Sequence, residues 1–396
     1  MLTEKNELVS LMIHEIEHAF GRKVVSSRDC IELSVEVYNK TEQQLNPNTL
    51  RRFFSLVKAE YSPSQSTLNI LSRYCGFISA EDLYKIKTAE TFGEEEIKKE
   101  TMLQYFSNIF RDSPVKNNHD HTLLSMTLQT IKFLNANKFL TDKFQSLIAK
   151  TPNGIHYYFE KLVNVDKLNS FYGNGLRFYL KEKATVDAQI FTASIYTMKY
   201  WLSDEKEKLI KSIDVLLTNS PSNIKMHPYL KARYFSALLF YYHATESNAE
   251  PVKAEINRCF QHLISDPDLS KYLYYYIFIV SFALLLTGHA KEAIYYIDQS
   301  KTKVKVHDET RIFSYTESYA TIEAFGLCKL GFLDEAKAKL SEINSDTYPF
   351  LIKKLMSIIH LSVKLKLEPK NDKKYNESRL NTLIYETGFK KLSKIF

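Results

Sequence analysis

Apolar residues recur at three- and four-residue intervals along most of the chain, the mark of helices that bury one face. The spacing predicts a first helix over residues 3–20, with Val9, Met12, Ile13, Ile16 and Phe20 on one side and Gly21 as its stop. Ser26 and Ser27 suit the cap of a second helix over 28–39, with Cys30, Ile31, Val35 and Tyr38 expected inward. Asn46 and Pro47 fit the cap and first position of a third. There Leu50, Phe53, Phe54 and Val57 should point inward, and Asn48, Arg51, Arg52 and Ser55 outward. Ser66 is the expected cap of a fourth helix, with Leu68, Leu71, Tyr74 and Cys75 inward and an end at Gly76. Ser79-Ala80-Glu81-Asp82 then has the form of a capping box, with Ile78 and Leu83 as its hydrophobic staple. These elements make residues 1–90 a small domain of short capped helices.

Composition shifts beyond it. Glu94-Glu95-Glu96 opens a helix to about Phe110, and a polar loop follows to His121, so residues 91–121 are expected to connect two domains. From 122 to 396 the pattern is of long amphipathic helices in pairs. Two stretches match: Leu286-Thr287-Gly288-His289-Ala290-Lys291-Glu292-Ala293 and Lys329-Leu330-Gly331-Phe332-Leu333-Asp334-Glu335-Ala336, offset by forty-three residues. A glycine between helices and a small residue one turn into the second are what a tight helix hairpin needs. Similar pairs run through 196–217 and 232–263 without the glycine. The pattern resembles tetratricopeptide-type repeats and implies an α-solenoid, with a compact helical bundle as the alternative.

Charge changes the picture only locally. The net charge is +7, and residues 347–396 carry eleven Lys or Arg against four acids, which accounts for the whole excess. Apolar Leu351, Leu355, Ile358, Ile359 and Leu365 keep helical spacing there, so this tail should pack as a final helix with its lysines outside. Residues 272–288 are seventeen without a charge, yet the amphipathic segment after them favours a helix buried on all sides over a membrane span. No membrane partner is expected. Acids near the N-terminus argue against a secretory signal, and four scattered cysteines suit free thiols in a reducing cytoplasm.

Candidate chemistry is sparse. The ten glycines form neither a dinucleotide nor a P-loop fingerprint, and no nucleophile elbow is present. His14-Glu15-Ile16-Glu17-His18 matches a zinc-protease motif in letters, but helical geometry puts both histidines opposite the apolar stripe. His119 and His121 alternate around an acid in a polar loop, a pattern that solvent explains. We expect no catalytic residue, cofactor or metal. The Tyr-rich helices, among them Tyr241-Tyr242 and Tyr274-Tyr275-Tyr276, could line a groove for a peptide or small ligand.

The run from Ser27 to Leu83, with SSRDCIELSVEVYNKT, LNPNTLRRFF and STLNILSRYCGFISAEDL, resembles bacterial helix-turn-helix domains of the Cro and phage-repressor type. The resemblance covers roughly a seventh of the chain. It implies an all-α protein with a small N-terminal helix-turn-helix domain before the tetratricopeptide-like array. It further implies a transcriptional regulator that binds double-stranded DNA as a homodimer, with a repeat domain sensing a peptide, small ligand or protein. On it, Asn48, Thr49, Arg51, Arg52 and Ser55 belong to the recognition helix. Arg51 or Arg52 would meet guanine edges, and Asn48 and Thr49 adenine or phosphate. The alternative is a helical-repeat scaffold without DNA binding. Residues 1–90 favour it with eleven basic residues against twelve acids.

Overall fold

The computed structural model describes residues 2–58, 62–114, 120–135, 138–218, 226–303, 315–367 and 373–396. All regular structure among them is helical. The chain forms two compact units, Met1–Met102 and Leu103–Phe396, each with its own apolar core.

The first unit holds α1 (Leu2–Phe20), α2 (Ser27–Thr41), α3 (Pro47–Phe53), α4 (Gln65–Tyr74) and the opening turns of α5 (Ala80–Asp112). α2 packs on α3 and α4, and α4 on α1, around Met12, Ile16, Leu33, Val37, Leu50 and Leu71. Ser26 caps α2 with a full capping box through Asp29. The inward stripe of α2 is Cys30, Leu33, Ser34 and Val37, one position away from the expected one. Ile31, Val35 and Tyr38 lie exposed; Cys30, Leu33 and Val37 form the buried stripe at the same helical spacing, and the Ser34 hydroxyl beside them donates to the Leu45 carbonyl. Ser64, not Ser66, caps α4, its oxygen accepting from Thr67 N. Asp82 N bonds Ser79 Oγ as expected, but Ile78 is 80% exposed and forms no staple. The helix begun there runs on without the expected break as the single helix α5.

In the second unit, α6 (His121–Leu134), α7 (Lys138–Ile148), a π-helical stretch (Gly154–Lys161), a short turn of 3-10 helix (Val165–Lys167) and α8 (Phe171–Glu182) precede a row of helix hairpins. Each pairs a first helix with a second: α9 (Val186–Leu202) with α10 (Lys206–Thr218), and α11 (Pro228–Thr245) with α12 (Glu250–Ser265). After the one-turn α13 (Pro267–Ser270) come α14 (Leu273–Leu286) with α15 (Ala290–Lys303), α16 (Thr316–Leu330) with α17 (Leu333–Ser341), and α18 (Lys353–Leu367) with α19 (Lys373–Thr387). First helices pack in sequence, α9 on α11, α11 on α14, α14 on α16 and α16 on α18. The uncharged run is therefore α14, most of whose fourteen residues are buried, and no described helix is long and apolar enough to cross a membrane.

One device closes four of these hairpins. Asp204, Glu246, Gly288 and Gly331 all take positive φ, between 55° and 89°, and fall 42, 42 and 43 residues apart. At each, the residue itself donates to the carbonyl three back and the next residue to the carbonyl five back, as in His289 N to Leu284 O and Phe332 N to Leu327 O. The helix thus ends with its last carbonyls satisfied and the chain reversed. The forty-three-residue match was one half of this pattern; the other half is carried by an Asp and a Glu. Ala293 and Ala336, the small residues of the matched segments, are fully buried.

The row also returns on itself. A final turn of 3-10 helix (Lys390–Lys394) packs against α9, with Phe389 and Leu392 buried. Asn169 Nδ2 donates to Ser203 Oγ (2.9 Å) at the end of α9 and to the Thr387 carbonyl (2.8 Å) at the end of α19. Gly388 sits against that amide at φ 72°, where a Cβ would come within 2.9 Å of Asn169 Nδ2. Asp166 caps α18 from 188 residues away: its carboxylate accepts from Lys354 N (2.7 Å) and Leu355 N (3.0 Å). α18 buries Leu355, Ile358 and Ile359, and Ser362 is tolerated because its hydroxyl bonds the Ile358 carbonyl. The basic tail is helix, as its spacing predicts.

Two measurements follow from this geometry. Glu246 is exposed and pays only for its left-handed backbone, so Glu246→Gly should stabilise the chain by about 0.5–1 kcal/mol, while Gly331→Ala should cost about 1–2 kcal/mol, both read by urea denaturation. Burial pushes the Asp166 carboxyl up to about 6 against the pull of its two backbone donors. A folded pKa above the unfolded value means the folded state holds the proton more tightly between about pH 4 and 6, so this group's contribution falls as pH rises through that window. The stability of the wild type relative to Asp166→Asn should decline from pH 4 to 7, and Asp166→Ala, which strands two helix N–H groups, should cost about 1–3 kcal/mol.

Candidate nucleic-acid interface

The α3 segment is short because both ends are fixed by local chemistry. The Asn46 side chain accepts from Asn48 N (2.8 Å), and Pro47 occupies the first turn, where no N–H is needed. At the other end Ser55 takes φ 57°, with Leu56 N bonded to the Arg51 carbonyl, so the helix stops after seven residues. Leu50 and Phe53 anchor it in the core, and Phe54 packs edge-on against Phe53. Val57, expected inward, is exposed because the chain has already turned. Ser55 therefore marks the end of the helix and does not share the outward face of Asn48 and Arg52.

The two arginines differ. Arg52 is exposed, whereas Arg51 is half-buried. Arg51 Nη1 donates to Asn48 Oδ1 (2.8 Å), and its Nε is buried with no acceptor among the described residues. Its charge reaches the buried Cys30 thiol and partly offsets the rise that burial imposes there. Thr49 is half-buried and Asn48 exposed. Neither Arg51 nor Arg52 forms an ion pair with a described carboxylate. Several other cations of the unit are paired: Arg22 with Asp29 and Glu32, Arg28 with Glu32, and Lys87 with Glu15. Acids lie close by as well: Glu42 caps the end of α2, and Glu36 accepts from Tyr74 Oη. Two further basic residues border the α2–α3 turn, Arg73 donating to Gln43 Oε1 (3.2 Å) and Lys40 lying 5.0 Å from the Tyr74 ring. Sequence spacing did not point to either, since they come from different helices.

The zinc-like motif is taken apart by its surroundings. His14 and His18 are exposed, Glu15 is engaged by Lys87 (3.2 Å), and Glu17 accepts from Val24 N (3.1 Å). His119 lies outside the described residues, and His121 is the exposed first residue of α6 behind the Asp120 cap. Among the described residues no three His, Cys, Asp or Glu side chains are placed to hold a metal ion. The four cysteines are unpaired, and burial raises every thiol, Cys75 up to about 12. Their thiolates are disfavoured, so none is set up as a nucleophile.

The tyrosines divide into two groups. Tyr158, Tyr172, Tyr179 and Tyr276 are fully buried and bond inward, as Tyr172 Oη does to the Phe159 carbonyl (2.6 Å). A second group gathers at the starts of the first helices of the row. Tyr229 meets Tyr272 and Tyr275 edge-on at 5.3 and 4.5 Å between centroids. Arg233 donates to Tyr275 Oη and lies over the Tyr275 and Phe191 rings at 5.7 and 5.6 Å. Tyr229, Tyr272 and Tyr275 are half-buried, whereas Phe191 of α9 is buried in the core.

No family model, curated protein or solved structure matches the chain.

Proposed function

We propose that this chain is a DNA-binding transcriptional regulator. Its first unit reads double-stranded DNA as a helix-turn-helix domain with α3 in the major groove. Its second unit is a tetratricopeptide-like α-solenoid that senses a peptide, small ligand or protein partner. The observation that carries the reading is the pair Arg51 and Arg52, the former ordered by Asn48 and neither paired to a described carboxylate, on a helix clamped to α2 by Leu50 and Phe53. An exposed guanidinium without a described counter-charge, such as that of Arg52, has a use in bidentate contact with guanine O6 and N7. Arg52 is the base reader, and Arg51 with Asn48 sets its register. One such domain offers few contacts, so the protein acts as a homodimer on two half-sites. The aromatic group around Arg233 supports a binding role for the second unit. A scaffold without DNA binding is the second reading, favoured by the balance of eleven basic residues against twelve acids over residues 1–90.

Mobility shifts with DNA from upstream of the gene distinguish the two. Arg52→Ala should leave stability within about 0.5 kcal/mol of wild type. It should weaken the specific complex by about 1–3 kcal/mol and binding to scrambled DNA much less. An equal loss on both sequences, with the salt slope lower by about one, would make Arg52 a phosphate contact. Absence of any shift by the wild-type chain would favour the scaffold.

A further inference from the structure

The folded α2 keeps an exposed apolar stripe. Ile31, Val35 and Tyr38 follow one another at four and three residues, so they share one face of the helix, turned away from the buried Cys30, Leu33 and Val37. They are 49%, 55% and 54% exposed. A single exposed apolar side chain is ordinary, but three in register on one helix make a continuous seam. The same face ends in opposite charges. Arg28 lies one turn before Ile31, and Glu42 one turn after Tyr38. The Arg28 side chain is 87% exposed, and its ion-pair partner Glu32 is shared with Arg22. Glu42 is exposed at the left-handed end of α2 (φ 58°) and forms no ion pair with a described cation.

Val35 stands midway between Arg28 and Glu42, with Ile31 and Tyr38 on either side of it. The face is therefore complementary to itself about a two-fold axis through Val35, the symmetry of a closed dimer. We propose that this face of α2 is a self-association surface, and that its partner is the α2 of a second copy of the chain, laid antiparallel. Val35 then meets Val35, Ile31 meets Tyr38, and Arg28 meets Glu42 at each end. A parallel pair would set Arg28 against Arg28 and Glu42 against Glu42, like charges at both ends. Each partner in a stable complex hides about 800 Å², more than three half-exposed side chains supply, so this dimer should dissociate in the micromolar range. The surface gives the proposed homodimer a contact face, but it rests on the symmetry of α2 and not on DNA reading by α3. Its test contains no DNA, so either reading can fail alone.

Sedimentation velocity of the full-length protein over a range of concentrations tests it. Wild type should show a monomer–dimer equilibrium in the micromolar range. Val35→Asp, at an exposed position, should keep the helical circular dichroism and unfolding temperature of the wild type and remain monomeric. Arg28→Glu and Glu42→Arg should each weaken self-association at least tenfold, because the two-fold axis counts every reversal twice. An equimolar mixture of those two variants should recover the dimer, since each reversed charge then meets its complement. Under mild oxidation Val35→Cys should cross-link to itself. A wild type that stays monomeric well above the micromolar range, a dimer untouched by Val35→Asp, or charge reversals that mixing does not rescue would overturn the proposal.

Discussion

A helix that must reverse into an antiparallel partner has to leave the right-handed region at one residue, and the second unit is organised around where that residue falls. Asp204, Glu246, Gly288 and Gly331 each accept the left-handed backbone at an interval of 42 or 43 residues. Only two of the four are glycine, so at the others tertiary packing outweighs a local cost of about 1–2 kcal/mol. Because the reversal recurs at nearly constant spacing, the first helices come to lie side by side, and small buried residues such as Ala293 and Ala336 face the contacts they make. The apolar surface of α14 follows from the same constraint. Flanked by α11, α15 and α16, the helix buries all but Tyr274, Tyr275 and Ile279, which are half-buried.

The ends of the row are tied by polar groups. Asp166, Asn169 and Lys391 each connect the region around α9 to the last hairpin. Lys391 Nζ bonds Asp204, the residue that makes the first left-handed turn, at 3.0 Å. A buried carboxylate capping a helix from so far along the chain makes the start and end of the row one cooperative structure. Repeat arrays with free ends rely on neighbour contacts alone. The last hairpin is also joined to α16 by the Thr321–Tyr348–His360 chain of hydrogen bonds.

Much of this was legible in the chain itself. The all-helical class, the α1 stop at Gly21, the Asn46–Pro47 start of α3, the Gly288 and Gly331 turns and the helical tail all follow from local rules. The misplaced face of α2 did not, because Ile31, Val35 and Tyr38 satisfy the same periodicity as the buried Cys30, Leu33 and Val37, and local spacing alone does not choose between them. Asp204 and Glu246 were hidden for a related reason, since an acidic residue gives no sign that it will adopt positive φ. At the candidate interface the residues were legible and their environments were not. Arg51 and Arg52 are adjacent and alike in sequence, but one threads beside Cys30 and the other stands in solvent.

The central claim is that α3 presents Arg52 to the floor of the major groove. Dimethyl sulfate methylates guanine N7 there, the atom a reading arginine would cover. On a fragment retained by the full-length protein, the account predicts protected guanines in two tracts about ten base pairs apart. It also predicts that one guanine per tract becomes reactive again with Arg52→Ala while the others stay covered. Protection unchanged by that substitution, or no protected guanine on any retained fragment, would contradict it.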